Sequence, residues 1–179
     1  MRSGPMFARS IGWRMFGTSR NVSSNFKDSV QINSDFADLL RAFNAASVDY
    51  LIVGAYAVGL YARPRATGDL DVFVRPTRGN AERVLRALAE FGAPLHNLSL
   101  DDLISDDTIF QIGVAPIRID VITALTGVSF ESAWAGRTSG KLGGIDVNVI
   151  GRDELIANKR ATGRPKDLAD LDALRRQQS

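Results

Sequence analysis

The chain has 179 residues, 45% of them hydrophobic and 23% charged, with no cysteine and a single histidine, His96. That length predicts one domain with an ordinary core, while the cysteine and histidine counts exclude a disulfide scaffold, a zinc ribbon, an iron–sulfur site, a thiol nucleophile and a multi-histidine metal centre. Five of the 22 basic residues (Arg2, Arg9, Arg14, Arg20 and Lys27) lie among the first 27 positions without one acid, so the other 17 face all 20 acids and the body is slightly acidic. Such a body lacks the clustered lysine and arginine of a general nucleic-acid binder, and any metal must be held by carboxylates. No apolar run approaches the roughly 18 residues of a membrane span, so the expectation is a soluble, cytoplasmic protein with no membrane partner.

Residues 1–30 are expected to be a basic leader outside the fold, and residues 31–179 one domain. The leader is rich in arginine and serine, as a transit peptide is. A disordered bacterial leader, or a start at Met6 or Met15, fits the same residues.

From Asn33 or Ser34, which can cap, the spacing of Phe36, Leu39, Leu40 and Phe43 predicts an amphipathic helix. Residues 49–53 read as a short buried strand ending at Gly54, residues 55–61 as a short helix, and residues 70–74 as a strand closed by Pro76. Residues 80–91 form the clearest helix, with Val84, Leu85, Leu88 and Phe91 on one face and Gly92 beyond its end. After a loop over 93–107 with one turn of helix, strands at 108–114 and 116–123 make a hairpin. A short helix at 130–135, an alternating edge strand at 145–150, and helices over 153–162 and from Pro165 complete the chain. About five strands and five helices in this mixture predict an α+β fold, with helices mainly on one face of a mixed sheet and a helical C-terminus. The chain has no GxGxxG, GxxxxGK[ST], GxSxG or HExxH, which removes the dinucleotide, phosphate-loop, hydrolase and zincin readings.

The chemistry concentrates in residues 53–74. Asp69 and Asp71, two apart on a strand, point to one face about 7 Å apart along the backbone, and two such carboxylates repel unless a cation neutralises them. Magnesium suits them, because it takes octahedral oxygen ligands from one or two carboxylates plus substrate phosphates. Asp120 sits in the apolar strand Ile117-Arg118-Ile119-Asp120-Val121-Ile122. If that strand lies beside the first, three carboxylates converge in the layout of two-metal phosphoryl transfer, with Asp120 the natural base for an incoming hydroxyl. Gly54 lets backbone approach a ligand, the helix starting at Ala55 aims free N–H groups at it, and Arg63, Arg65 and Thr67 flank the same loop.

A glycine after a strand, a small residue, thirteen intervening residues and then Asp-x-Asp resembles the signature of the DNA polymerase β superfamily of nucleotidyltransferases. The run Arg65, Thr67, Asp69, Asp71 is similar to the branch holding the AbiEii-type toxin and small stand-alone nucleotidyltransferases. Lys159, Arg164, Lys166, Asp167 and Asp170 are similar to the tail elements of that branch. The resemblance spans about residues 36–175 and implies a minimal nucleotidyltransferase fold that uses magnesium, or manganese in its place, to move an NMP from an NTP. It places metal on Asp69, Asp71 and Asp120, and nucleotide on Gly54, Ala55, Arg65, Thr67, Lys159 and Asp167. The acceptor is left open among RNA, protein and small molecule, and a cognate antitoxin is the partner the toxin branch implies. The chain departs from the pattern at Ala55, where serine or glycine is usual, and it is shorter than typical AbiEii-type toxins.

Plainer readings stand beside these. Asp120 can pair with Arg118 or Arg137 in a structural salt bridge, Lys159 can be a surface residue, and Asp167 can be explained by capping and the helix dipole, worth roughly 0.3–1 kcal/mol. The acids Asp101, Asp102, Asp106 and Asp107 can form a solvated loop or favour a cationic, aminoglycoside-like antibiotic as acceptor. A nucleotide-binding or partner-binding module without turnover is the non-enzymatic alternative.

Overall fold

The computed structural model describes residues 9–11, 32–62 and 66–176. Helix α1 (Ser34–Ala45) is capped by Asn33, whose side chain accepts from the Asp35 N–H at 2.8 Å. Strand β2 (Tyr50–Ile52) leads at once into α2 (Gly54–Tyr61), and β3 (Asp69–Val74) into α3 (Arg78–Phe91), which stops at Gly92 in the left-handed conformation. A short α4 (Leu100–Ile104) precedes the antiparallel hairpin β4 (Ile109–Val114) and β5 (Ile117–Ile122). Then come α5 (Phe130–Ala135), β6 (Thr138–Leu142), β7 (Ile145–Val149), α6 (Arg152–Thr162) and α7 (Pro165–Arg176).

The strands form one mixed sheet in the order β1-β4-β5-β3-β2-β7-β6, where β1 (Arg9–Ile11) pairs in parallel with β4. The α+β architecture with a helical C-terminus is therefore as expected, with two more strands than the sequence suggests. Strand β6 was not anticipated because Thr138–Leu142 is mostly exposed and carries two small polar residues and a glycine, so it has no apolar alternation to betray it. Strand β7 is an inner strand rather than an edge. Its alternation reflects one solvated face, and β6 covers the side where an edge was expected. Apart from Arg9–Ile11, the predicted leader lies outside the described residues.

The register explains which face became the core. Leu70 and Val72 of β3 lie beside Ile119 and Val121 of β5, all fully buried. Tyr50, beside Val74, meets Phe43 of α1 edge-on at 5.6 Å, so α1, with α3 packed along it, covers this face. Residues 69, 71 and 73 point the other way, and there Phe73 meets Phe130 of α5 at 5.0 Å. Among the described residues no helix is long and apolar enough to cross a membrane.

Candidate active site

Strands β3 and β5 run parallel with Asp69 beside Arg118 and Asp71 beside Asp120. Because neighbours in register share a face, the three acids on two strands are brought together as the alternation required. They line an open pocket of about 300 Å³ with Val53, Gly54 and Ala55 at the start of α2, and with Lys159 of α6, Lys166 of α7 and Arg164 of the turn between them. Gly54 has φ +63°, and a methyl group there would collide with the Asp71 carboxylate, so the glycine serves the close approach of α2 to β3. The Val53 N–H donates to the Asp71 carbonyl at 3.1 Å and ties the same two elements. Thr67 accepts from the Asp69 N–H at 3.2 Å and braces the turn into β3.

The electrostatics follow from this crowding. Burial pushes the Asp71 carboxyl up to about 6, and Asp120 and Asp69 push in the same direction against the pull of Lys159 and Lys166. Burial also raises Asp120, opposed mainly by Arg118. The Arg118 guanidinium donates from Nη2 to Asp69 Oδ2 at 3.2 Å and lies with Nε 2.9 Å from Asp120 Oδ1. That second contact is close but poorly directed for a hydrogen bond. Both atoms are buried and neither has a properly directed hydrogen bond. The salt bridge weighed against a catalytic role for Asp120 thus exists, and it sits inside the acid cluster rather than away from it.

The donor set fits a hard divalent cation: carboxylate oxygens on one face, one of them buried without a hydrogen-bonding partner, and a neighbouring carboxyl raised by burial and by its like-charged neighbours. Asp69, Asp71 and Asp120 would hold such an ion. As they stand, no three carboxylate or imidazole side chains among the described residues are gathered closely enough to enclose one, and Arg118 is ion-paired with two of the three.

The tail residues are arranged differently from the expectation of direct nucleotide contact. Lys159 reaches the pocket wall, but its Nζ is buried between Asp167 Oδ1 at 2.8 Å and Asp170 Oδ2 at 2.9 Å. Asp167 is fully buried and does not line the pocket; its other oxygen accepts from Arg164 Nε at 2.6 Å. Burial alone would raise Asp167, yet Arg164 and Lys159 outweigh it and hold the carboxyl at about 2. The pocket therefore meets Arg164 and Lys166 as its more accessible cations. Arg65, predicted to bind nucleotide, lies outside the described residues, as does Arg63. Asp102 is spent on the capping box of α4 with Ser99, and none of the acids at 101–107 lines the pocket. Missed by sequence reasoning were the neutral walls, Ile109, Leu125, Thr126 and Asn158, which carry no spacing signal and meet only through the fold.

A scan against protein-family models finds no match, and no curated protein matches the sequence. Solved structures do match in shape. The chain is similar to the antibiotic-resistance factor ANT(2'')-Ia in solution (TM-score 0.54, 14% identity, 80% of each chain covered). It is also similar to crystalline ANT(2'')-Ia in complex with adenylyl-2''-tobramycin (0.56, 13%, covering 82% of this chain and 88% of that one). A third similar structure is the lincomycin-bound lincosamide antibiotic adenylyltransferase LnuA (0.53, 12%, 80% and 96%). At these identities the likeness speaks for the fold alone, which this chain shares with these structures.

Proposed function

We propose that this chain is a nucleotidyltransferase that moves a nucleoside monophosphate from an NTP to a hydroxyl acceptor. The observation that carries it is the facing of Asp69, Asp71 and Asp120, from two parallel strands, onto one pocket whose other walls include the start of α2 and the cations Arg164 and Lys166. A module freed from turnover has no physical need to gather three mutually repelling carboxylates.

Roles follow from position. The free N–H groups at the start of α2, with Arg164 and Lys166, attract the triphosphate. A magnesium ion on the three acids, or manganese in its place, would supply charge neutralisation at the reacting phosphate. Asp120, raised by burial, takes the proton of the acceptor hydroxyl as its oxygen bonds to the α-phosphorus, and the bond to the bridging oxygen breaks to release pyrophosphate. Lys159 and Asp167 act one layer back, fixing α6 and α7 and with them Lys166 and the turn that carries Arg164.

For the acceptor, the similar structures lend support to a small molecule, since adenylyl-tobramycin and lincomycin are bound by those proteins. RNA and protein hydroxyls, as in the toxin branch with its antitoxin partner, remain the other acceptor classes. A cationic drug would need acidic walls, and the described pocket offers only its three central acids.

Isothermal titration of each of the four NTPs, with and without magnesium, tests the assignment in the wild type and in Asp69→Ala/Asp71→Ala. Magnesium-dependent binding of at least one NTP, lost in the double variant, is expected. Failure of every NTP to bind the wild type overturns the transferase and leaves a binding module of the same fold.

A further inference from the structure

Strand alternation puts Arg118 on the acid face, one register step from Asp120 and directly beside Asp69. A structural arginine in such a place is normally buried and bidentate, with aligned hydrogen bonds. Arg118 is neither. About a third of its side chain is exposed, its bond to Asp69 is made to a carboxylate 42% exposed, and its approach to Asp120 lacks hydrogen-bond alignment. The positive charge is nonetheless needed, because without it Asp69, Asp71 and Asp120 would face one another with Lys159, Lys166 and Arg164 acting on Asp71, and of these Lys159 is already shared by two other acids and Arg164 is paired with Asp167.

We propose that Arg118 is an exchangeable counter-ion of the acid cluster: it holds Asp69 and Asp120 in the metal-free chain and releases them when a divalent cation binds. This role rests on the transferase assignment above. The same oxygens cannot serve the guanidinium and an ion at full strength, so loading the ion and freeing Arg118 are one linked equilibrium. Once freed, the planar fork remains on the pocket wall beside Asp69, where a phosphate oxygen of the NTP is its natural new partner. Arg118 is thus a positioning residue that holds the acids in place until the ion arrives.

Manganese alone, without nucleotide, is the probe, and its affinity is read from the electron paramagnetic resonance signal of free Mn²⁺. Arg118→Gln is expected to bind Mn²⁺ about tenfold more tightly than wild type, the equivalent of one charged hydrogen bond given up. Arg118→Lys, which keeps the charge but cannot bridge two carboxylates, should fall between them. Equal affinity in wild type and Arg118→Gln overturns the exchange while leaving the transferase intact, and a lysine variant identical to wild type reduces Arg118 to a background charge and overturns it too. If no variant binds Mn²⁺, the metal site and the exchange fail together. A second readout uses the unmutated protein: the Arg118 Nε–H resonance, assigned by its disappearance in Arg118→Lys, should shift and exchange faster with water when saturating Mg²⁺ is added. A resonance unmoved by bound Mg²⁺ overturns the proposal.

Discussion

Asp71 carries the sharpest conflict at the scale of one residue. Its carboxyl is raised to about 6 by burial and by two acidic neighbours, against about 4 in the unfolded chain. Between those values the native state binds the extra proton, so stability falls as the pH rises through this window and the cost is fully present above it. Asp71→Asn removes the charge while keeping the shape. In EDTA at pH 7.5 this variant should therefore be more stable than wild type by about 2 kcal/mol, with a gain that disappears near pH 4. Thermal unfolding of both proteins from pH 4 to 8 measures it; parallel curves would mean that the charges around Asp71 are already balanced. Gly54 sets the same residue from the other side, because its positive φ and the closeness of Asp71 leave no room for a side chain. Gly54→Ala should cost about 1–3 kcal/mol by backbone strain and displacement of the carboxylate, seen as a lower urea midpoint together with weakened Mn²⁺ binding.

Among the elements, α6 and α7 show most clearly what a sequence pattern conceals. Lys159, Asp167 and Asp170 were visible as residue types, and helix-dipole stabilisation of Asp167 at the first turn of α7 was an adequate local account. Their true relation depends on the turn at Gly163, whose left-handed conformation folds α7 back so that one ammonium meets two carboxylates. No periodicity encodes that angle. Lys159→Met takes from two buried carboxylates the ammonium they share, and should destabilise the protein by about 3–5 kcal/mol in urea unfolding. Adding Asp167→Asn and Asp170→Asn to that variant should restore most of the loss, since neutral groups need no buried counter-charge. A triple variant no more stable than the single one would place the cost in packing rather than charge. The strands tell the opposite story: β3 and β5 were legible because acids at alternate positions in an apolar strand separate a buried face from a polar one.

Across the whole molecule, the candidate pocket is assembled from distant parts of the chain, with Val53–Ala55 and Asp69–Asp71 meeting Asn158–Lys166. Sequence reasoning found the acids, because charge on an apolar strand is conspicuous, and it found Gly54 by its spacing from them. It could not find Ile109, Leu125 or Asn158, whose only qualification is where the fold puts them. This construction makes a physical demand on binding. An NTP that bridges the sheet and the C-terminal helices must quiet both, whereas one held by the sheet alone leaves α6 and α7 as they were. At a concentration 100 times its Kd, the preferred NTP with magnesium should add about 2.7 kcal/mol of stability, raising Tm by roughly 5–10 °C. Hydrogen exchange should slow together in residues 53–55 and 158–166, and neither segment should respond in Asp69→Ala/Asp71→Ala. Protection confined to residues 53–55 would remove Arg164 and Lys166 from the triphosphate site and leave α6 and α7 as a scaffold behind it.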